Sequence, residues 1–329
     1  MNHLLRVTML GMVLLSGWML KGNAQTDSVK IMNDSVAVIA PAAEDTIRYW
    51  RYNGNIAANI NQVALKNWSG GGQSAVGINL IFNFKTSYEK NSFSWDLRSD
   101  MAFGIQKIGK QGFRKSDDFF DIGSQLNYKL AKGWKFSFLT TLRSQFANGY
   151  DYADDGTSVL ISKSFAPAYT IIAPGIEYTA PKYFKAMFSP VTNKNNIVLH
   201  TNSIDVTRYG VEPGKRVFAQ FGAFLTATFE AEVFKNITYS TKLDLFSNYL
   251  KNPQNVDVNW NNKIILKVNE WLNVAITTEL VYDDDVMVPK TREDGTTYEG
   301  KGTQFRENLA VSIGYKFARD RNVPAAVKP

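Results

Sequence analysis

A long, regular alternation of apolar and polar residues is the feature that most constrains the fold of this chain. In Ala75–Tyr88, the large apolar residues Val76, Ile78 and Leu80 alternate with small or polar ones. A two-residue period is typical of a β-strand that has one face in an apolar environment and the other in a polar one. The same pattern recurs at Phe93–Gln106, Phe120–Leu130, Trp134–Phe146, Ile237–Tyr249, Val256–Val268, Leu272–Tyr282 and Phe305–Phe317. The sequence therefore predicts an all-β fold.

The length of these runs indicates the kind of β-fold. Strands of soluble sandwiches usually have about 5–6 residues, whereas a strand that crosses a bilayer needs about 9–11. The runs here reach the second length, and their polar faces mix Asp, Lys, Arg and Asn as a hydrated barrel interior would. We therefore predict an antiparallel transmembrane β-barrel. A secreted β-sandwich or a lipocalin-like barrel is the soluble alternative.

The connections between the runs alternate in length, as expected of a barrel with short turns at one end and longer loops at the other. Short links are predicted near residues 89–91, 131–133, 180–182, 232–236 and 269–270, and longer ones near 109–116, 149–164, 191–215, 250–255 and 283–302. With Tyr52–Leu65 as the first strand, the pattern gives about 12 strands, and 10 or 14 remain open. Tyr183–Val191 is the weakest strand, and Ile197–His200 is a candidate for a separate hairpin.

The N-terminus predicts export. Arg6 precedes the apolar run Val7–Leu20, and small residues precede Gln25, as in a secretory signal peptide. We predict a cleaved signal at residues 1–24, a periplasmic linker at 25–50, an outer-membrane barrel at 51–317 and a periplasmic tail at 318–329. The expected partners are outer-membrane lipid, lipopolysaccharide and the barrel-assembly machinery, and the oligomeric state is left open.

Composition excludes several classes of function. The chain has no cysteine, so it has no disulfide framework and no thiolate metal site. Its net charge of +7 is spread along the sequence, which does not favour nucleic-acid binding. Since His3 lies in the predicted signal, His200 is the one histidine left to serve as a catalytic base. We predict no enzymatic function and no cofactor, and keep a lipid hydrolase that uses His200 as an alternative.

Inward-facing charges are the candidates for lining a pore. They can either surround a passive diffusion channel for small solutes or pair across the lumen and close it. The reading favoured by the sequence is a structural barrel with a closed or narrow lumen. The candidate lining residues are Asp96, Arg98, Asp100, Arg143, Lys242, Asp244, Lys263, Glu279 and Arg306.

Two loops are candidates for further sites. The run Trp68, Ser69, Gly70, Gly71 and Gly72 lacks the Lys-Ser/Thr of a phosphate loop and precedes a strand, so we interpret it as an outer loop that can fold inward and constrict the lumen. The run Asp283, Asp284 and Asp285 offers clustered carboxylates, which can hold a divalent cation. No spacing of the EF-hand type supports that cation site.

Several sequence blocks resemble a family of uncharacterised outer-membrane β-barrel proteins from Gram-negative bacteria. The blocks are Asn67–Gly72, Leu245–Leu272, Leu280–Val286 and the closing Tyr315–Phe317. The most specific are Trp-Ser-Gly-Gly-Gly and Asn-Val-Asp-Val-Asn-Trp. The resemblance covers essentially the whole chain after the signal and implies the barrel and its outer-membrane location. It implies no reaction, ligand or catalytic residue.

Overall fold

A computed structural model describes residues 49–64, 73–152, 157–180, 183–283, 285–292 and 296–319. The predicted signal, most of the linker and residues 320–329 of the tail lie outside these ranges. The first eight strands are β1 (Trp50–Val63), β2 (Ala75–Lys90), β3 (Phe93–Ile108), β4 (Arg114–Ala131), β5 (Trp134–Ser144), β6 (Gly149–Tyr152), β7 (Ser158–Ser162) and β8 (Ala168–Thr179). The others are β9 (Phe184–Ile197), β10 (Val217–Phe234), β11 (Ile237–Asn248), β12 (Val256–Lys267), β13 (Leu272–Tyr282), β14 (Met287–Thr291), β15 (Thr297–Lys301) and β16 (Gln304–Arg319).

Twelve of these strands form a closed antiparallel barrel. The order around the ring is β1-β16-β13-β12-β11-β10-β9-β8-β5-β4-β3-β2, and β2 returns to β1. The predicted barrel and its strand number of 12 are confirmed. Because the ring is closed, no barrel strand has a free edge along which another chain can add. The weakest predicted strand, Tyr183–Val191, forms from Phe184 onward as the first part of the longer β9.

The two faces of the barrel wall have opposite characters. The large apolar side chains of the alternating runs point outward and are exposed, among them Leu80 (55%), Leu309 (62%) and Tyr315 (70%). On the inner face polar residues are buried, and the Ser312 hydroxyl donates to Asn59 Oδ1 (2.6 Å) between β16 and β1. A soluble protein buries its large apolar residues, so this inverted wall matches an apolar surrounding medium.

The connections alternate as the sequence predicts. Short turns join β2 to β3, β4 to β5, β8 to β9, β10 to β11 and β12 to β13, and both Trp50 and Arg319 lie at that end. We call it the short-turn end, and the opposite end the long-loop end. Aromatic pairs line the short-turn end, such as Trp134 with Tyr178, whose ring centroids are 4.9 Å apart. Among the described residues no helix is long and apolar enough to cross a membrane.

The long loops carry structure of their own that the alternation did not predict. β6 and β7 form a hairpin between β5 and β8, and β14 and β15 form another between β13 and β16. The separate hairpin proposed for Ile197–His200 does not form. Ile197 ends β9, and the segment that follows contains a short 3-10 helix (Val206–Tyr209).

Two of these loops pack together into a small apolar core at the long-loop end. Val198, Ile204, Val206 and Val211 are buried there against Ala166, which comes from the loop between β5 and β8. The Tyr209 hydroxyl fastens the two loops by donating to the Ile161 carbonyl oxygen (2.7 Å). Part of the long-loop end is therefore covered by packed structure.

Candidate functional site

The lumen is filled unevenly, and this asymmetry defines the candidate site. On β8 and β9, inner-face side chains such as Ala173, Glu177 and Met187 are buried. On β1, β2 and β16, the inner-face residues Asn53, Asn61, Lys85, Arg306 and Lys316 are exposed to open space. The side of the lumen beside β8 and β9 is therefore packed, and open space lies beside β16, β1 and β2. We call that open side the polar side.

An apolar cluster fills the packed side. Ala173, Met187, Phe224 and Phe246 are buried together, and Leu139 and Ile171 pack against them. These residues come from five neighbouring strands, β5, β8, β9, β10 and β11. Apolar packing of this kind excludes water from this side of the lumen.

An ion pair between Arg143 and Glu279 joins opposite walls of the lumen. Arg143 Nη1 on β5 lies 3.6 Å from Glu279 Oε1 on β13. Five strands separate β5 from β13 in either direction around the ring, so these two strands stand opposite each other. The pair therefore connects opposite walls at the level where it forms.

The reach of these two side chains limits the width of the lumen. A circular ring of twelve strands, spaced about 4.8 Å apart and tilted by about 40°, has a diameter of roughly 24 Å. Extended Arg and Glu side chains reach about 7 Å and 5 Å from their Cα atoms, so with the 3.6 Å between their charged atoms the two Cα atoms are at most about 16 Å apart. The barrel is therefore narrower along this line than a circle would be.

Further ion pairs lie at the long-loop end beside the apolar cluster. Lys194 Nζ on β9 lies 2.7 Å from Asp257 Oδ2 on β12 and 3.1 Å from Asp283 Oδ2, which follows β13. The Asp285 carboxylate forms an ion pair with Lys251 Nζ (2.6 Å) and accepts a hydrogen bond from Gln220 Nε2 (2.8 Å). The turn after β13 is thereby tied to β9, to β10 and to the loop after β11.

The polar side keeps an opening at the long-loop end. A cavity of about 290 Å³ lies there, and its inner-face lining includes Asn59, Asn61, Asn79, Gln106, Asp117 and Arg306. Arg306 Nη2 reaches Asp117 Oδ2 at 3.0 Å, and Asn79 Nδ2 donates to the same oxygen at 3.1 Å. These inner-face side chains are amides and one ion pair, groups that water solvates readily.

A buried carboxylate organises the wall near the short-turn end. Glu177 on β8 has no exposed side-chain surface, and it accepts hydrogen bonds from Gln125 and Thr179. Lys135 Nζ on β5 and Lys185 Nζ on β9 lie 3.4 and 3.6 Å from its two oxygens. Since β5 and β9 flank β8, this carboxylate ties three adjacent strands together on their inner face.

The structure places all nine residues predicted to line the lumen on the inner face of barrel strands. Arg98 pairs with Asp100 and with Asp121 (2.8 Å), and Lys242 pairs with Asp244 (2.7 Å). Lys263 stands apart, since within the described part of the chain it has no ion pair. The remaining four are Asp96, which accepts from Asn127, and the paired residues Arg143, Glu279 and Arg306 described above.

The two predicted loop sites have different outcomes. Trp68, Ser69, Gly70, Gly71 and Gly72 lie outside the described residues, so their constricting role stays a prediction. Of the acidic run, Asp284 also lies outside them, and lysines hold the other two carboxylates. Among the residues that the structure describes, no cluster of His, Cys, Asp or Glu has the arrangement of a metal site.

The only histidine considered for catalysis lies in a loop away from the lumen charges. His200 is exposed just after β9, and its carbonyl oxygen accepts the Ser203 N–H (3.1 Å). In the described ranges, no hydrogen bond or ion pair joins its imidazole to a hydroxyl or a carboxylate. The nucleophile–base–acid arrangement that a hydrolase of this type requires is therefore not formed there.

Sequence reasoning did not single out several residues that matter most in the lumen, among them Glu177, Lys194 and Asp257. Each of these side chains is on the inner face, and the alternation of apolar and polar residues along its strand is the sequence pattern that could have indicated this. That signal is weak for Glu177 and Lys194, because β8 and β9 contain Pro174 and Pro190 and the β8–β9 register shifts between Ile172 and Ile176. Such irregularities move the inner face by one residue.

Part of the chain matches a described family. Residues 60–150 match the model described as "Protein of unknown function (DUF3078)". The resemblance to a family of unknown function is confirmed over that range, which runs from within β1 through β5 to the start of β6. It includes the Asn67–Gly72 block but not Leu245–Leu272 or Leu280–Val286. No curated protein matches the sequence.

Solved structures of similar fold are outer-membrane proteins. An outer membrane channel from Pseudomonas putida F1 has 9% identity and a TM-score of 0.37, over 82% of this chain and 96% of the other. The translocator domain of the autotransporter NalP from Neisseria meningitidis has 7% identity and a TM-score of 0.33, over 82% and 88%. OmpT, an outer membrane protein of Vibrio cholerae, has 9% identity and a TM-score of 0.31, over 82% and 97%. The closed ring itself establishes the fold.

Proposed function

We propose that this protein is a non-enzymatic outer-membrane β-barrel whose narrow lumen is closed at rest. Its signal peptide, residues 1–24, is cleaved on export, the barrel-assembly machinery inserts the barrel, and lipid and lipopolysaccharide surround it. The exposed apolar outer face supports the membrane location, because in water such a surface would drive aggregation. The short-turn end, where the described chain starts and finishes, faces the periplasm.

The Arg143–Glu279 ion pair is the main observation that supports a lumen closed at rest. It joins opposite walls, and the apolar cluster occupies the neighbouring part of the lumen. Together the two features leave only the polar side for a solute. A solute on that side must pass between the ion pair and the wall formed by β16, β1 and β2.

A passive diffusion channel is the second candidate, and the exposed inner face of the polar side favours it. The two candidates differ in whether the lumen conducts before the cross-lumen pair is broken. A half-exposed ion pair is worth about 0.2–1 kcal/mol, so its removal changes the width of the passage without endangering the fold.

Conductance in planar bilayers separates these candidates. We expect the refolded wild-type protein to give little conductance and the double variant Arg143→Ala/Glu279→Ala to give sustained, discrete conductance steps. The matched control is Lys242→Ala/Asp244→Ala, which removes a lumen pair that lies within one strand and spans nothing. The control should behave like the wild type. Sustained conductance already in the wild type, equal in all three proteins, would overturn the closed state and favour the passive channel, whereas equally low conductance in all three would show that the Arg143–Glu279 pair is not the barrier.

The absence of enzymatic function has its own test. Because the His200 imidazole lacks catalytic partners among the described residues, we expect the refolded protein to release no fatty acid from phospholipid vesicles. Release that disappears in His200→Ala would instead establish the hydrolase alternative.

A further inference from the structure

Three lysines converge on the polar side of the lumen. Lys85 on β2, Lys263 on β12 and Lys316 on β16 all lie on the inner face of the wall, toward the short-turn half of their strands. Lys263 is near enough to the other two for their positive charges to repel its own. Like charges brought together raise the free energy of the site unless an anion joins them.

These lysines differ from most other charged groups of the lumen in being unpaired. Arg98, Arg143, Lys194 and Arg306 each have a carboxylate within ion-pair distance. In the described ranges, none of the three lysines has an ion pair or a side-chain hydrogen bond. Their charge is therefore available to a solute.

Two free amides lie beside the lysines. In the register of the sheet, Asn53 is directly opposite Lys85, and Asn55 is directly opposite Lys316. Neither amide has a side-chain hydrogen bond within the described residues. The inner wall therefore presents ammonium and amide N–H donors side by side across β16, β1 and β2.

The carboxylates that attract the Lys263 ammonium do not cancel this charge. They are Asp100 and Glu230. Asp100 is already paired with Arg98, which it shares with Asp121. Because the one positive charge of Arg98 faces both of these carboxylates, that group keeps one negative charge, and Glu230 on the inner face of β10 adds a second. Three lysines therefore face two uncompensated negative charges.

We propose that Lys85, Lys263 and Lys316, with the amides of Asn53 and Asn55, form a binding site for a small soluble anion of the phosphate or carboxylate class. The lysine ammonium groups supply N–H donors and no acceptor, and the NH2 group of each amide adds two donors beside its carbonyl oxygen. This set suits an oxyanion with several acceptor oxygens. Lipid headgroups are excluded as the ligand, because the barrel wall separates the site from the bilayer. Anion binding at this site does not depend on the proposed function. Anion selectivity of conductance does, because it requires the proposed passage.

The first test measures binding directly. Inorganic phosphate is titrated into the detergent-refolded full chain by calorimetry, and we expect saturable binding. The variant Lys85→Gln/Lys263→Gln/Lys316→Gln should bind at least about tenfold more weakly, because it loses every charge-assisted hydrogen bond from the lysines. The control Lys110→Gln/Lys132→Gln/Lys235→Gln makes the same change in net charge at exposed loop and turn positions and should bind like the wild type.

The second test measures selectivity in the variant that lacks the cross-lumen pair. In a potassium chloride gradient, its reversal potential should show chloride more permeant than potassium, and adding the three Lys→Gln changes should lower that permeability ratio at least about twofold. Phosphate binding without conductance would overturn the proposed passage and support the site. Conductance with no phosphate binding, and a ratio unchanged by the lysine substitutions, would overturn the site. Heat-dependent gel mobility verifies that each variant forms a barrel.

Discussion

Replacement of the buried carboxylate in Glu177→Gln should destabilise the barrel more than any change at an exposed charge. Glutamine keeps the size of the side chain and can still accept from Gln125 and Thr179. It removes the negative charge between Lys135 and Lys185, whose side chains are 28% and 39% exposed. Those lysines then face each other across β8 without an anion.

The magnitude follows from these contacts. A hydrogen bond to a neutral acceptor is weaker than one to a carboxylate by about 1 kcal/mol, which amounts to about 2 kcal/mol for the two bonds. Each half-exposed ion pair adds about 0.5 kcal/mol. The free energy of unfolding should therefore fall by about 3 kcal/mol, at the lower end of the roughly 3–5 kcal/mol found when one partner of a buried pair is removed.

Urea unfolding in detergent micelles, followed by tryptophan fluorescence, measures this loss. The control is Asp151→Asn, which breaks the Arg208–Asp151 pair (3.7 Å), in which Asp151 is 62% exposed. It should cost less than about 1 kcal/mol. If Glu177→Gln cost no more than this control, Glu177 would not be the carboxylate that ties β5, β8 and β9 together.

Two further predictions concern the wall and the loops. A Cβ at Gly222 would overlap the Ser247 carbonyl oxygen on β11, so Gly222→Ala should cost about 1–3 kcal/mol in the same urea assay, whereas Gly112→Ala, with open space around it, should cost almost nothing. Equal midpoints for the two alanine variants would contradict this close approach. The Asp205 carboxylate accepts from the Thr207 hydroxyl and backbone N–H, and these hydrogen bonds lower its pKa below the ordinary value. Its stabilisation of the 3-10 helix is therefore present above about pH 4 and is lost as the pH falls through the lowered pKa. Limited proteolysis of the loop by an acid-active protease measures this loss. Cleavage should accelerate below pH 4 in the wild type and be fast at all pH values in Asp205→Ala. A wild-type cleavage rate independent of pH would contradict the cap.

The sequence alone determined the wall of this protein. Alternation over runs such as Ala75–Tyr88 assigns each side chain to one face, because successive residues of a strand point in opposite directions. The alternating lengths of the connections then gave the number of strands and the two kinds of end. These are local properties of the chain, and the closed ring of 12 strands confirms them.

Only the tertiary structure decided what the lumen contains. Alternation shows that Arg143 and Glu279 point inward, but their meeting depends on ring closure, strand tilt and stagger, which set the residues that share one level. The same holds for Lys194, whose partners Asp257 and Asp283 come from distant parts of the chain. The filling of one side by Met187, Phe224 and Phe246 also depends on strands far apart in sequence. The cross-lumen pairing, the packed side and the grouping of the three lysines are products of the closed barrel, because contacts across a lumen have no local signature.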